Sequence, residues 1–445
     1  MRVILSVTAG PKWGTEFVFD THRVVLFGRS HRCGQYSLGN DLRMSRAHLI
    51  VEVDPPVCRL RDLGSANRSF VNGRPVIEAQ IGHGDVVTLG DTQLTVRVEQ
   101  TSAEVMAGDQ ARWPAVVAES WAESPPAASA PAIERPCVRC GAATRLPGPT
   151  ADLPVCPSCR QVMQTSGEHL SSYRLVSQIY QGSMGAVWQG EDVRTARRVA
   201  VKLLGPDLAG NPRLAHLFLQ ASHLAAGLRH PRIAEAITSG QFDGQLFAVT
   251  EYVAGQDAET VCQQSGGRMN PRDVIAIALQ TLDAIEYAHS QGVVHRDLKP
   301  RNLLLQGAPD SYAVKVTDFG LARNYLSAGL RGLTQDPDVR SSIPYLAHEQ
   351  VIDPESADPR SDVFGLGATF YHLLTGEFVY NFVPDQEPLV TVVEAEPVDI
   401  RTRGVPLPPQ LVDVINRAIS ESPDSRFQTV GEMRAALAAI PEWTT

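Results

Sequence analysis

The 445-residue chain contains no run of about 18 or more apolar residues, so no membrane-spanning helix and no membrane partner are expected. Its first residues, MRVILSVTAGPKWG, lack the length and cleavage site of a secretory leader, and a cytoplasmic location is expected. Positive charge is not in excess: 40 Lys and Arg stand against 49 Asp and Glu, a net charge of −9. That balance argues against a polyanion binder as the main role. Cysteine is scarce and odd in number, seven in all, and four of these form two tight pairs, which in a reducing compartment points to metal over disulfides. Internal repeats are missing too. What remains, 43% hydrophobic and 20% charged residues, is ordinary for soluble globular chains and excludes a disordered or fibrous protein. The length allows about two to four domains.

The charge is unevenly spread. Residues 1–98 carry 12 Lys or Arg and 9 Asp or Glu, so the front is +3 and the remainder −12. An anion-reading site is expected at the front. There, short runs alternate apolar and polar positions (Arg2–Val7, Glu16–Phe19, Arg23–Phe27, His48–Val53, Val86–Leu89, Gln93–Val98) between Gly, Asn, Asp and Pro, the pattern of an all-β sandwich. Residues 99–136 turn rich in Ala, Pro, Ser and Glu and read as a flexible linker. A cysteine unit fills 137–160. From Tyr173 strand-like stretches (Tyr173–Ile179, Ala186–Gln189, Arg198–Leu203, Leu246–Tyr252) precede long helical periodicities (Pro271–His289, Asp362–Leu374), as expected of an α+β domain with two unequal lobes.

The richest chemistry lies in VVHRDLKPRNLLL, with His295, Arg296, Asp297, Lys299 and Asn302, followed by VTDFG with Asp318. Phosphoryl transfer needs an acid to orient the attacking hydroxyl and accept its proton, which Asp297 suits. It also needs oxygen ligands for a charge-neutralising metal, which Asn302 and Asp318 suit. Upstream, VAVK places Lys202 on an apolar strand, and QGSMGAV puts Gly182 and Gly185 in a hairpin, where backbone N–H groups approach a phosphate chain closely.

In this order and spacing the motifs resemble the protein kinase family over about residues 173–440, and the HRDLKP form resembles its bacterial serine/threonine branch of eukaryotic type. The resemblance implies a bilobal α+β kinase fold using ATP and Mg2+, with protein Ser/Thr hydroxyls as acceptors. It assigns catalysis to Asp297 and Lys299 and magnesium to Asn302 and Asp318. Nucleotide contacts fall to Gly182, Gly185, Val187, Ala200, Lys202, Thr250, Glu251 and Val253. Arg296 would pair with a phosphate on the activation segment, where Thr334 is the first choice of site and Ser342 faces the catalytic aspartate. Glu349 would pair with Arg426, and Asp362 would open a structural helix.

Three departures from the family pattern stand out. Tyr180 replaces a glycine of the phosphate loop, and His348 replaces the proline of Ala-Pro-Glu. Ala221 falls where a helix should supply a glutamate to Lys202, and no acidic residue lies between Asp207 and Glu235. A positioning contact is lost while the base and metal ligands stay. An active enzyme, weakened or conditionally activated, is therefore expected over the competing class, a pseudokinase scaffold.

At the front, FGRS, SRAHLIVEV and DLGSANRSFVNG fall at turns between strands. They bring Arg29 as a forked phosphate donor, Ser45 as a hydroxyl donor and Asn67 as an amide for a peptide backbone. These motifs resemble the forkhead-associated (FHA) domain over residues 1–98, implying phosphothreonine-containing protein partners contacted by Arg29, Ser45, Asn67 and, as a helper, Arg46. His48 and Asn72 would brace the loops. Ala66 replaces a frequent threonine and Arg68 a usual glycine, in a turn that often wants positive φ. The rival reading is a sandwich kept for packing or docking.

Finally, Cys137-x-x-Cys140 and Cys156-x-x-Cys159 stand 15 residues apart, the spacing of a structural Zn2+ ribbon. Redox dithiols are the alternative. Cys33, Cys58 and Cys262 read as ordinary thiols, and nucleic acid is not indicated. The expected whole is multidomain: an all-β FHA sandwich, a small zinc ribbon and a bilobal kinase, with the reader recruiting substrates or a second copy of the chain.

Overall fold

The computed structural model describes residues 1–99, 133–136, 143–146, 168–170, 172–182, 185–205, 212–242, 245–319, 337–354, 357–384 and 386–440. Residues 1–100, 216–238 and 253–445 form one compact unit, and 101–215 with 239–252 form another.

The front of the first unit is a sandwich of short antiparallel strands: β1 (Arg2–Ala9), β2 (Glu16–Phe19), β3 (Arg23–Phe27), β4 (Leu49–Asp54), β5 (Val57–Asp62), β6 (Ser69–Val71), β7 (Arg74–Val76), β8 (Glu78–Ile81), β9 (Val86–Leu89) and β10 (Thr92–Glu99). They build two sheets, in the orders β2-β1-β10-β9-β6-β7 and β3-β4-β5-β8. Alternation supplies the core, because successive side chains of a strand face opposite ways. Val3, Leu5 and Val7 from one sheet meet Val25, Phe27, Val51 and Val53 from the other. An edge-on contact between Phe17 and Phe27, centroids 5.1 Å apart, lies in the same layer. The expected strands are present to within two residues at each end, and β5 to β8 are additional.

Strands β11 (Ile133–Pro136) and β12 (Ala143–Leu146) pair antiparallel, Ile133 opposite Leu146. The first of these lies inside the stretch expected to be linker. Its AIERP composition hides a strand that is specified by its partner across the segment carrying Cys137 and Cys140. All four paired cysteines lie outside the described residues.

The second unit contains strands β13 (Glu168–Leu170), β14 (Tyr173–Gly182), β15 (Gly185–Asp192) and β16 (Arg198–Leu204), joined in one sheet by β17 (Ala236–Phe242) and β18 (Gln245–Glu251), in the order β13-β14-β15-β16-β18-β17. Helix α1 (Pro212–Ala226) follows β16 and from His216 onward belongs to the first unit.

The rest of the first unit is mainly helical. A small sheet of β19 (Gln256–Asp257), β20 (Leu303–Gln306) and β21 (Ala313–Val316) accompanies α2 (Ala258–Gln264), α3 (Pro271–Ser290), α4 (Pro337–Ser342), α5 (His348–Ile352), α6 (Pro359–Thr375), α7 (Pro388–Glu394), α8 (Pro409–Ala418) and α9 (Val430–Ala438). The local signals agree with the ends of these helices. Asn270 accepts from the Arg272 amide at 2.9 Å before α3, and Asp358 accepts from the Arg360 amide at 2.8 Å before α6, as N-caps do. Each of the two helices has proline in its first turn, and α6 stops at Gly376 with φ 76°, a left-handed cap. Helix α6 is buried from Ser361 to Leu374 and forms the floor on which the catalytic loop rests.

Candidate active site

The loop between α3 and β20 is held from below by one carboxylate. Asp362, fully buried, accepts the His295 amide at 2.8 Å and the Arg296 amide at 2.7 Å, and its Oδ2 lies 2.7 Å from His289 Nε2. Burial works to raise this carboxyl, but the contacts from His289 and the Arg296 amide outweigh it and hold it below the ordinary Asp range. The clamp fixes Arg296 at φ 68°, a left-handed conformation uncommon for a non-glycine residue and costly unless its surroundings enforce it. Gln350 adds a second restraint, its amide donating to the Arg296 carbonyl at 2.9 Å. His289 and Gln350 were not legible as site residues, because neither stands in a motif.

On this base the expected catalytic residues converge. His295 Nδ1 accepts the Asp297 amide at 3.2 Å while Nε2 contacts the Thr317 carbonyl at 2.9 Å, so the ring carries its proton on Nε2. Asp297 is 6% exposed. Lys299 Nζ lies 3.3 Å from Asp297 Oδ2 and donates to Ser342 Oγ at 2.6 Å. Asn302 donates its amide to the Asp297 carbonyl at 2.6 Å and to Oδ2 at 3.2 Å. With both amide hydrogens turned to Asp297, the Asn302 oxygen is left as an acceptor for a cation. Asp318 has φ 64°, a second strained non-glycine position beside the loop. Asn302 and Asp318 bring oxygen donors of the kind magnesium takes.

Arg296 gives one guanidinium N–H to the Ala357 carbonyl at 3.0 Å, and Thr334 lies outside the described residues. Glu349 and Arg426 pair through both carboxylate oxygens, at 2.7 and 2.9 Å. Burial works to raise Glu349, and the Arg426 hydrogen bonds reverse this and hold the carboxyl low.

The sheet of the second unit collects the expected nucleotide contacts by register. Val187 stands opposite Lys202, Ala200 opposite Thr250 and Val199 opposite Glu251. Gly182 and Gly185 close the β14–β15 hairpin. Gly185 has φ 136°, and a Cβ there would stand 1.8 Å from the Leu203 carbonyl oxygen, so only glycine fits. Tyr180 is 41% exposed. Val253 begins the segment that leaves this sheet. Ala221, at the position of the expected glutamate, is 5% exposed, and helix α1 contains no acidic residue.

In the sandwich the three loops that carry Arg29, Ser45 and Asn67 are tied together. The Arg29 amide donates to the Ser45 carbonyl at 3.1 Å, the Ala66 amide to Ser45 Oγ at 3.1 Å and Asn67 Nδ2 to the Arg43 carbonyl at 2.6 Å. His48, fully buried, accepts the Ser45 amide at 3.0 Å and reaches the Arg68 carbonyl at 3.3 Å. Burial pushes its pKa down against the nearby Asp62. Arg68 has φ 62°, the left-handed turn expected at this position without the usual glycine. Asn72 donates to Asp85 at 2.7 Å and accepts the Val86 amide at 2.9 Å. Arg29 is half-buried, and its Nε is buried without a hydrogen-bond partner among the described residues. Such an orphaned donor calls for an explanation, and an anion supplies one.

Two family models match the chain. Residues 173–434 match that for the protein kinase domain, and residues 25–90 match that for the FHA domain. Among curated proteins, the serine/threonine-protein kinase PknB of Mycolicibacterium smegmatis is 36% identical over 285 residues, covering 62% of this chain and 44% of the relative. PknJ of Mycobacterium bovis is 32% identical over 280 residues, covering 62% and 46%. The chain thus spans less than half the length of these relatives. The crystal structure of the Mycobacterium tuberculosis PknI kinase domain is similar at 27% identity and a TM-score of 0.48, covering 61% of this chain and 97% of that one.

Proposed function

This chain belongs to the protein kinase family, and from that premise we propose that it transfers the γ-phosphoryl group of ATP to serine or threonine hydroxyls of proteins. The observation that carries the reading is the cluster of Asp297, Lys299 and Asn302 on a loop clamped by Asp362, with Ser342 at the end of α4 held against it by Lys299. In the reaction the acceptor oxygen bonds to the γ-phosphorus as the bond from that phosphorus to the β-phosphate oxygen breaks. Asp297 orients the incoming hydroxyl and takes its proton. The Lys299 ammonium, fixed between Asp297 and Ser342, meets negative charge that develops on the transferring group. Asn302 and Asp318 would hold magnesium, which supplies charge neutralisation on the phosphates when bound. Lys202 and the glycine hairpin would hold the nucleotide tail, with Val187, Ala200, Thr250, Glu251 and Val253 around the base.

The test is incubation of the purified chain with labelled ATP, magnesium and a protein acceptor, beside Asp297→Ala. Label in the parent that falls by about 10³-fold or more in the variant is expected, since losing a triad-like base costs at least that. Nucleotide binding with equal absence of label in both proteins would instead establish the scaffold class, the reading that Ala221 favours by standing where an acid is expected on α1.

For the sandwich, phosphothreonine proteins are the ligands, held by Arg29, Ser45, Arg46 and Asn67, and the unpaired Arg29 Nε supports an anion there. They serve as recruited substrates or as a second copy of this chain. A phosphate on the activation segment, first at Thr334, is the ligand assigned to Arg296. Cys137, Cys140, Cys156 and Cys159 are assigned one structural zinc, on their spacing alone. Elemental analysis is expected to give about one zinc per chain. A cytoplasmic location completes the reading.

A further inference from the structure

The phosphate-reading loops of the sandwich touch the helical part of the same chain. Glu394, the last residue of α7, sets one carboxylate oxygen 2.9 Å from the Arg46 guanidinium and accepts the Ala47 amide on the other at 3.2 Å. Arg46 is one of the four side chains assigned to the phosphopeptide. An acid at the carboxyl end of a helix stands at the wrong end of the helix dipole, so a cation from elsewhere is what makes the position favourable.

Two further arginines of the sandwich follow the same rule. Arg32, 15% exposed at its side chain, reaches Glu421 at 2.9 Å and Glu396 at 3.2 Å, and Arg23 reaches Asp353 at 3.2 Å. Every pair has its cation on the sandwich and its anion on the helical part, which matches the +3 and −12 division of the sequence.

We propose that this face is an interaction surface whose resident occupant is the chain's own helical lobe, with Glu394 standing where a ligand anion binds, so that a phosphothreonine peptide must displace it. The inference rests on the phosphopeptide reading above. Carboxylate and phosphate differ in a way that makes exchange favourable. Glu394 offers one negative charge and engages Arg46 and the Ala47 amide. A phosphothreonine brings about −1.5 to −2 charges and three strong acceptor oxygens, and it can also satisfy the Arg29 Nε that the docked form leaves unpaired. The remaining contacts are ion pairs at or near the surface, individually weak and screened by salt. They hold the lobe against the sandwich without locking it.

The test is an anisotropy titration of the full chain with a phosphothreonine peptide and its unphosphorylated twin, in the parent, Glu394→Gln and Arg32→Ala. If the docked form holds about 90% of the molecules, freeing the site tightens apparent affinity about tenfold. A gain toward that limit is expected in both variants, with no binding of the twin. Arg32→Ala separates undocking from mere removal of a repelling charge, since Arg32 is not among the assigned phosphate contacts. A gain confined to Glu394→Gln therefore overturns the docking. Equal phosphopeptide affinity in all three proteins overturns it too and leaves the reader intact. Absence of phosphopeptide binding in all three removes the reader itself, and the competition with it. A parent dimer in sedimentation that both variants dissolve would move the contact to between two copies and overturn the intramolecular assignment.

Discussion

The catalytic loop and the sandwich loops that carry Arg29, Ser45 and Asn67 solve one problem with opposite chemistry. Both need irregular backbone held still above a buried floor, and both use one buried ionisable side chain to do it. Under the catalytic loop the group is Asp362, charged, accepting two amides and facing His289. Under the sandwich loops it is His48, neutral, bridging the Ser45 amide and the Arg68 carbonyl. Each also holds a non-glycine residue at positive φ, Arg296 in one case and Arg68 in the other. The lesson is that a strained loop can be held by a charge, which is strong and needs a partner, or by a neutral ring, which costs less to bury but fails when it acquires a proton.

The largest break in this comparison comes from the charged side. Asp362→Ala removes the acceptor of two buried amides and the partner of His289. Taking one member from a buried charged network costs about 3–5 kcal/mol. Chemical denaturation is expected to show that loss, and phosphoryl transfer is expected to fall with it as Arg296 and Asp297 leave their positions. A variant as stable as the parent would show that the clamp is not what fixes the loop.

On the neutral side the expected loss is smaller. His48→Ala takes one partner from the half-buried Ser45 amide and from the Arg68 carbonyl, about 0.5–1.5 kcal/mol for each hydrogen bond lost. Phosphopeptide binding is expected to weaken while nucleotide binding stays as in the parent. If binding is untouched, His48 only fills space.

Acid separates the two floors. His48 has a pKa depressed below its unfolded value, so above about 6.5 both states are neutral and nothing is lost. As pH falls through about 6.5 the unfolded state takes the proton first, and sandwich stability drops by at most about 1.4 kcal/mol per pH unit. Asp362 and Glu349 are also depressed, but from the carboxylate range. Their contribution is present above about 4 and is lost only as pH falls further through the folded values. Thermal melts between about pH 7 and 5 are therefore expected to weaken the sandwich through His48 and the helical lobe only through its own burial-depressed histidines, His230 and His348, so that with both replaced by glutamine the sandwich weakens in that window while the helical lobe holds. Loss of both together in that window would remove the distinction between the floors.

Much of this was legible where chemistry is local. Asp297 is found through its neighbours Lys299 and Asn302 in one short stretch, the strand edges follow from alternation, and the caps of α3 and α6 lie beside prolines. What escaped is what only the folded chain joins. Strands β6 and β7 are three residues each, too short for a period to register, and β11 owes its existence to β12. His289 reaches Asp362 from 73 positions away, and Arg46 reaches Glu394 across most of the chain. For that last contact the sequence carried a trace, the basic front and acidic remainder, but a charge balance names no partners.

The finest test lies at the strained turn of the sandwich. At φ 62° Arg68 occupies the left-handed region, which costs a side-chain-bearing residue roughly 1 kcal/mol relative to glycine. The unfolded chain gains freedom from glycine, which offsets part of that relief. Arg68→Gly is therefore expected to stabilise the sandwich by less than about 1 kcal/mol, read as a small rise in its melting midpoint. Because His48 grips the carbonyl of residue 68 and not its side chain, phosphopeptide affinity is expected to stay within about twofold. A large loss of affinity would instead make the Arg68 guanidinium a ligand contact, and the strain at that turn would then belong to recognition.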